Sequence, residues 1–480
     1  MEMPETRYTR SGDVNIAYQV AGDGPVDLLW IPGFAQHLEL AWEEPYRRAW
    51  LEALAAEYRL IVFDKRGTGL SDRVEGAPPV EVRMDDCRAV LDAAGSARAA
   101  IFTAGDSSDL ALVFAATHPE RVLALILWHG QYRGAWAPDF PWAAPREEAL
   151  RRIEEMERRW PASLMETVAA GAPSLDEEEQ NVFARVIRLS VSPGAAAAYW
   201  RMALDVDVRE VLPTVRVPTL VMHNAGDPIE ESSRMAASRL PAGEFIAIDR
   251  PDRIPPVGDT APLFDNLRRF VERALRSANV EPDRVLATVL FTDLVGSTAR
   301  AAELGDSAWR SVLEAHHAVV REQLARFRGT EHDTAGDGFF ASFDGPARAI
   351  RCAGAIREGL ESLDLEVRAG LHTGECELID GKVAGIAVAI GARVAAQASP
   401  GEILVSQTVK DLVAGSGITF DDRGAAALKG VPGEWRLHAV AGGSLGACPS
   451  CPRSKPGAVN STRSSGSFRS SEPGRRTSRP

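Results

Sequence analysis

The stretch RVLATVLFTDLVGST (residues 284–298) runs from an apolar strand into a glycine turn, and the acid where the strand stops sets the reading of the chain's second half. A short run of apolar and β-branched residues closed by turn formers fits a buried strand. Asp293 stands at its end. Gly296, Ser297 and Thr298 follow as a turn that can open a helix, and the free N–H groups of such a turn suit a phosphate. Further on, DTAGDGFFASF (333–343) places Asp337 in a Gly-Asp-Gly turn that leads into a second apolar strand. Two carboxylates on neighbouring strand ends are suited to hold divalent ions against a triphosphate.

Working outward, VRAGLHTGE (367–375), VAGIAVAIGARVAAQASPGEILVS (383–406) and LKGVPGEWRLHAV (428–440) follow in order. Together the blocks at about 286–440 resemble the class III adenylate/guanylate cyclases. The resemblance implies an α+β domain with a ferredoxin-like βαββαβ core that dimerises head to tail, each active site being built from both chains. Asp293, the carbonyl of Leu294 and Asp337 would bind two Mg²⁺ or Mn²⁺ ions per site, with Gly296, Ser297 and Thr298 along the nucleotide. Arg393 matches the arginine that stabilises the transition state from the partner chain, and Lys429 would reach the triphosphate. The implied reaction converts ATP or GTP into a cyclic nucleotide and pyrophosphate, with cAMP ahead of cGMP. Three positions depart from the family pattern. Asp333 stands where a base-reading lysine is usual, and Lys382 where its acidic partner is usual, so these two are expected to meet as an exchanged pair. Ala389 replaces an asparagine, and a missing donor of this kind costs about 100–1,000-fold in rate.

The first half alternates apolar runs with helical patterns. VDLLWIPG (26–33), LIVFDKRG (60–67), AAIFTAG (99–105), VLALILWHG (122–130) and PTLVMHNAGD (218–227) read as buried strands of a parallel sheet, with NIAYQVAG (15–22) as a first, edge strand. Between about 131 and 207 the pattern turns to charged and Ala-rich helices such as PREEALRRIEEMERRW (145–160), an insertion over the sheet. This region, 1–275, resembles the α/β-hydrolases with a helical lid. Phe34 follows the strand where an oxyanion-hole N–H sits. AGDSSD (104–109) fits G-x-S-x-G at Gly105 and Ser107, with Asp109 in place of the last glycine. Asp227 follows as the acid. The histidine that should close the triad is missing, because RPDRIPPVGD (250–259) carries Arg253 there and no histidine occurs between Asp227 and His316. An arginine releases no proton near neutral pH, so the reading is a hydrolase scaffold without its chemistry, keeping a pocket for a small apolar ligand.

ANVEPDR (278–284) reads as a polar linker, placed at 276–285, and 441–480 as a disordered basic tail. That tail holds seven basic residues against Glu472 alone, while the whole 480-residue chain carries a net charge of −13. The folded part is therefore strongly acidic, which argues against nucleic-acid binding. No run of about 18 apolar residues would span a membrane. The first residues, MEMPETRYTR, lack the apolar stretch of a signal peptide, and five unevenly spaced cysteines form no disulfide framework, so a cytoplasmic protein is expected. Cys448 and Cys451 have the spacing of half a metal or redox site. The expected function is a homodimeric cyclase with the hydrolase-like domain as its sensor. The alternatives are a nucleotide-binding signalling scaffold, and an active serine hydrolase with a regulatory cyclase domain.

Overall fold

The computed structural model describes residues 1–277, 284–379 and 381–441, so the expected disordered tail and its Cys448–Cys451 pair lie outside the described residues. The first half is built on an eight-stranded sheet of order β1-β2-β4-β3-β5-β6-β7-β8. Its strands are β1 (Arg7–Ser11), β2 (Val14–Ala21), β3 (Asp27–Ile31), β4 (Arg59–Phe63), β5 (Ala99–Ala104), β6 (Val122–Trp128), β7 (Thr219–Asn224) and β8 (Gly243–Ile248). Pairing is antiparallel from β1 through β4 and parallel from there on. Every residue of β6, VLALILW, is buried. A strand covered on both faces has no polar side to show, which is why such runs carry no alternation. NIAYQVAG is not the edge: it forms β2, and the short, largely exposed β1 (RYTRS) lies outside it.

Helices α1 (Leu38–Glu43), α2 (Pro45–Glu57), α3 (Val80–Ala93), α4 (Ser108–Thr117), α9 (Glu230–Arg239) and α10 (Ala261–Ser277) flank this sheet. Two apolar clusters form on its faces. One holds Leu29, Ile61, Ile101 and Leu127 against α3 and α4, and the other holds Leu28, Val62, Phe102 and Ile126 against α2 and α10. The insertion between β6 and β7 supplies α5 (Arg146–Arg158), α6 (Ala162–Gly171), α7 (Glu177–Ser190) and α8 (Pro193–Ala203). Helix α7 opens with a capping box: Asp176 accepts from the Glu179 amide and Glu179 accepts from the Asp176 amide.

The second half runs β9 (Arg284–Leu294), α11 (Ser297–Leu304), α12 (Asp306–Arg326), β10 (Thr330–Ala335), β11 (Gly338–Phe343), α13 (Pro346–Glu361), β12 (Val367–Ile379), β13 (Lys382–Ala384), α14 (Ile386–Gln397), β14 (Ile403–Ser406), α15 (Gln407–Leu412), β15 (Phe420–Ala427) and β16 (Glu434–Val440). The sheet order is β10-β11-β9-β12-β14-β16-β15, with β13 pairing β12, so β9 is an inner strand between β11 and β12. Its alternation sorts the faces. Leu290 and Leu294 enter the core under α12 and α13, while Val289 and Phe291 point to the side of α14. Glycine is required at 370 because α14 crosses β12 there: a Cβ would come 2.0 Å from the backbone nitrogen of Ala395.

The two halves pack together. Leu286 of β9 and Leu412 of α15 belong to the same apolar cluster as α3 and α4. An ionic seam joins α3 to α13: Arg348 donates to Asp85 at 2.8 Å, Arg88 pairs with Asp344 at 3.3 Å, and Arg328 also reaches Asp85.

Candidate active site

Strand register brings the two predicted metal ligands together. On β11, Phe339 pairs with Thr292 of β9, so Gly338 lies beside Asp293 and Asp337 sits in the turn just beyond it. Phe340 stacks on Phe291 with ring centroids 4.7 Å apart and fixes the two strands behind the turn. His317 of α12 donates from Nε2 to the Gly336 carbonyl at 2.9 Å. His316 beside it is fully buried, and burial holds its imidazole down to about 4, neutral at working pH. His317 therefore supports the turn, while His316 packs edge-on against Phe339 with ring centroids 5.5 Å apart.

Asp337 Oδ2 is buried and has no hydrogen-bond partner among the described residues. A carboxylate oxygen removed from water without a partner is costly, and a cation is what would relieve it. The donors at this corner are all oxygens, which suits Mg²⁺ or Mn²⁺ over softer metals. Asp293 is held differently. On the other side of β9, Arg368 of β12 is its register partner, and the Arg368 guanidinium donates to Asp293 Oδ2 through Nε at 3.0 Å and through Nη2. Sequence reasoning missed Arg368.

Among the described residues, none of the other predicted residues is hydrogen-bonded or ion-paired to Asp293 or Asp337. Gly296 takes φ +67° as the residue before α11, leaving the amides of Ser297 and Thr298 at a helix start. Arg393 is exposed on α14, and its Nε donates to the backbone carbonyl of Lys429 at 3.0 Å. These two cations are thus neighbours of each other. Asp333 is exposed on β10 and accepts from the Thr334 amide at 2.9 Å. Among the described residues Asp333 and Lys382 form no ion pair, so the expected exchanged pair is not made within one chain. The Lys382 charge instead bears on His332, whose imidazole burial and that charge both hold below its ordinary value.

The hydrolase-like half gives a sharper outcome. A nucleophile elbow carries its serine exposed on a strained strand-to-helix turn. Here the strained residue directly after β5 is Gly105, at φ +63°, whereas Ser107 has φ −91° and is fully buried. Ser107 Oγ donates to the Pro32 carbonyl at 2.7 Å and accepts from Lys65 Nζ at 3.1 Å. Ser107 is therefore a structural hydroxyl, two residues past the elbow, and the elbow itself holds a glycine. Asp227 lies after β7 as expected, and Arg253 occupies the place of the base, its Nε 2.6 Å from Asp227 Oδ2. Burial opposes the Asp227 charge, but the Ile229 amide and the Arg253 guanidinium outweigh it and hold the carboxyl below its ordinary value.

His129, His223 and Asp227 offer ligand atoms within 4.8 Å of one another. With Arg253 already on Asp227, a metal ion there would face a fixed positive charge. Burial, together with the His223 ring, pushes His129 down to about 3, which makes it too weak a base to replace the missing histidine. Phe34 packs its ring against Trp200 at 5.2 Å and against Tyr199 at 5.7 Å, beneath α8.

Among the described residues no helix is long and apolar enough to cross a membrane. Residues 283–442 match the family model described as "Adenylate and Guanylate cyclase catalytic domain". The chain is 28% identical over 254 residues to the "Putative carbamate hydrolase RutD" of Azorhizobium caulinodans, covering 50% of this chain and 89% of that protein. It is 28% identical over 158 residues to the "Putative adenylate cyclase 3" of Rhizobium meliloti, covering 31% of this chain and only 27% of that relative. Among solved structures it is similar to the adenylyl cyclase CyaB from P. aeruginosa, at 24% identity and a TM-score of 0.32, over 34% of this chain and 96% of that one.

Proposed function

We propose that this fusion of an α/β-hydrolase-like domain with an adenylate/guanylate cyclase catalytic domain is a homodimeric nucleotidyl cyclase regulated through its N-terminal half. The observation that carries the reading is the corner formed by Asp293 and Asp337, with one Asp337 oxygen buried and unpartnered. Asp293, Asp337 and the Leu294 carbonyl would hold two Mg²⁺ or Mn²⁺ ions. Bound there, the ions would activate the ribose 3′-hydroxyl and neutralise the leaving pyrophosphate. Arg368 orients the Asp293 carboxylate until a cation competes for it. The amides of Ser297 and Thr298 point fixed dipoles at phosphate oxygens.

Arg393 and Lys429 contact each other rather than the acids, which supports a site completed by a second copy of the chain. Exposed apolar side chains on the β12–β13 hairpin and at the start of α14 support the same assembly: Leu378, Ile379 and Ile386 are 41%, 53% and 59% exposed. For base choice, the Asp333 carboxylate only accepts hydrogen bonds. It suits the 6-amino group of adenine and equally the N1–H and 2-amino donors of guanine, so it does not by itself choose between ATP and GTP.

Ala389 favours a second reading, a nucleotide-binding signalling scaffold, since it supplies no donor to the transition state. The third, an active serine hydrolase, has neither nucleophile nor base. The deciding assay gives the full chain ATP or GTP with Mn²⁺ or Mg²⁺, with Asp337→Ala as control. The expected result is cAMP that disappears in the variant. No product from either nucleotide, with nucleotide binding intact, would select the scaffold.

A further inference from the structure

Between the lid helices α5, α6, α7 and α8 and the loop that carries Arg253 lies a cavity of about 710 Å³. That volume is within the range of sites for drug-sized ligands. Its apolar wall includes Phe34, Ile153, Trp160, Leu164 and Trp200. The charged residues lining it are three arginines (Arg152, Arg159, Arg253) against two glutamates (Glu155, Glu166). Arg159 is taken up by both glutamates, and Arg152 by Glu148. Arg253 is different. Its Nε rests on Asp227, while its two terminal NH₂ groups have no hydrogen-bond partner among the described residues and its side chain is 45% exposed.

The backbone of Arg253 is fixed on both sides. Its amide donates to the Gly171 carbonyl at the end of α6 at 2.8 Å, and its carbonyl accepts from Trp128 Nε1 at 2.6 Å. A guanidinium anchored in this way presents a preorganised, two-pronged donor that matches a carboxylate. The arginine that stands in place of the base thus also builds a receptor, since it can hold an acid group where no proton can be taken.

We propose that the lid cavity binds an amphipathic monocarboxylate, with its acid on the terminal NH₂ groups of Arg253 and its apolar body between Trp160 and Trp200. The inference deepens the sensor reading of this domain, but binding stands whether or not the cyclase responds to it.

The test is isothermal titration calorimetry on the full chain at pH 7.5 with octanoate and octanamide, which share a body and differ in charge. Octanoate binds about tenfold or more tightly than octanamide, and Arg253→Gln removes that difference. Equal affinity for the two probes, or no binding of octanoate at millimolar concentration, overturns the proposal on the unmodified protein alone. An octanoate preference that survives in a folded Arg253→Gln chain overturns the role given to Arg253. Because binding is read directly, a cyclase that ignores octanoate would count against regulation and leave the site standing.

Discussion

Gly105 offers no atom that could attack a carbonyl, and Arg253 offers none that could take a proton. Each substitution alone would end hydrolysis, so repairing one is not enough. A Cβ at Gly105 meets nothing within 4 Å, so a serine has room there, at the cost of a strained φ of +63°. Ester hydrolysis is therefore expected only from the double variant Gly105→Ser/Arg253→His, measured with a chromogenic short-chain ester. Activity in either single variant would contradict the assignment of the elbow. Ser107→Ala tests the same point from the other side. It removes a buried hydroxyl that serves both the Pro32 carbonyl and Lys65, and should cost about 1–3 kcal/mol in a urea melt. Ester turnover stays absent in parent and variant alike. The sequence misled here because Ser107 fits G-x-S-x-G two residues past Gly105, and only the backbone angle separates the two positions. The places of Asp293 at a strand end and of Asp337 in a turn were legible because strand ends and glycine turns are written locally. Arg368 was missed because it meets Asp293 across a register that no single motif contains.

At the scale of elements, α3 belongs to both halves. Toward the hydrolase-like sheet, Arg83 pairs with Asp109 of α4 at 2.6 Å and Asp86 pairs with Arg66. Toward α13, Asp85 and Arg88 meet Arg348 and Asp344, and Glu81 lies buried against Gly345 with both carboxylate oxygens unpartnered. Burial raises Glu81 to about 7, with Arg348 and Arg351 opposing the shift and Asp344 adding to it. A carboxyl whose folded value exceeds its unfolded value of 4.5 stabilises most below that lower value and loses the contribution as pH rises through about 7. Glu81→Gln should thus flatten the fall in melting temperature between about pH 4.5 and 7. A pH profile equal to the parent's would contradict it. Arg348 is 1% exposed, so Arg348→Ala leaves buried acids without their partner. The cost expected in a urea melt is about 3 kcal/mol, at the low end for a broken buried pair because Asp85 keeps Arg88. The buried strands of both sheets were readable as apolar runs closed by turns. The outer strand β1 was not, since five mostly exposed residues bury too little to leave a pattern. Nor was the α3–α13 seam, whose partners lie far apart in sequence and look like ordinary surface charges.

For the whole molecule, two consequences follow from a shared core and a divided site. Leu286 and Leu412 are buried in the cluster of the hydrolase-like half, so a fragment of 284–441 should melt at a lower temperature than the full chain. An equal or higher melting temperature would mean that the halves are independent. The divided site is the central claim, because Arg393 contacts Lys429 and, among the described residues, neither is paired with Asp293 or Asp337. Asp337→Ala and Arg393→Ala chains should each be inactive, and their mixture should recover cyclic-nucleotide production. Random exchange in a symmetric dimer gives half heterodimers with one intact site each, about a quarter of the parent rate. Recovery near that level is the result expected. No recovery, with subunit exchange confirmed, would contradict a site built from two copies.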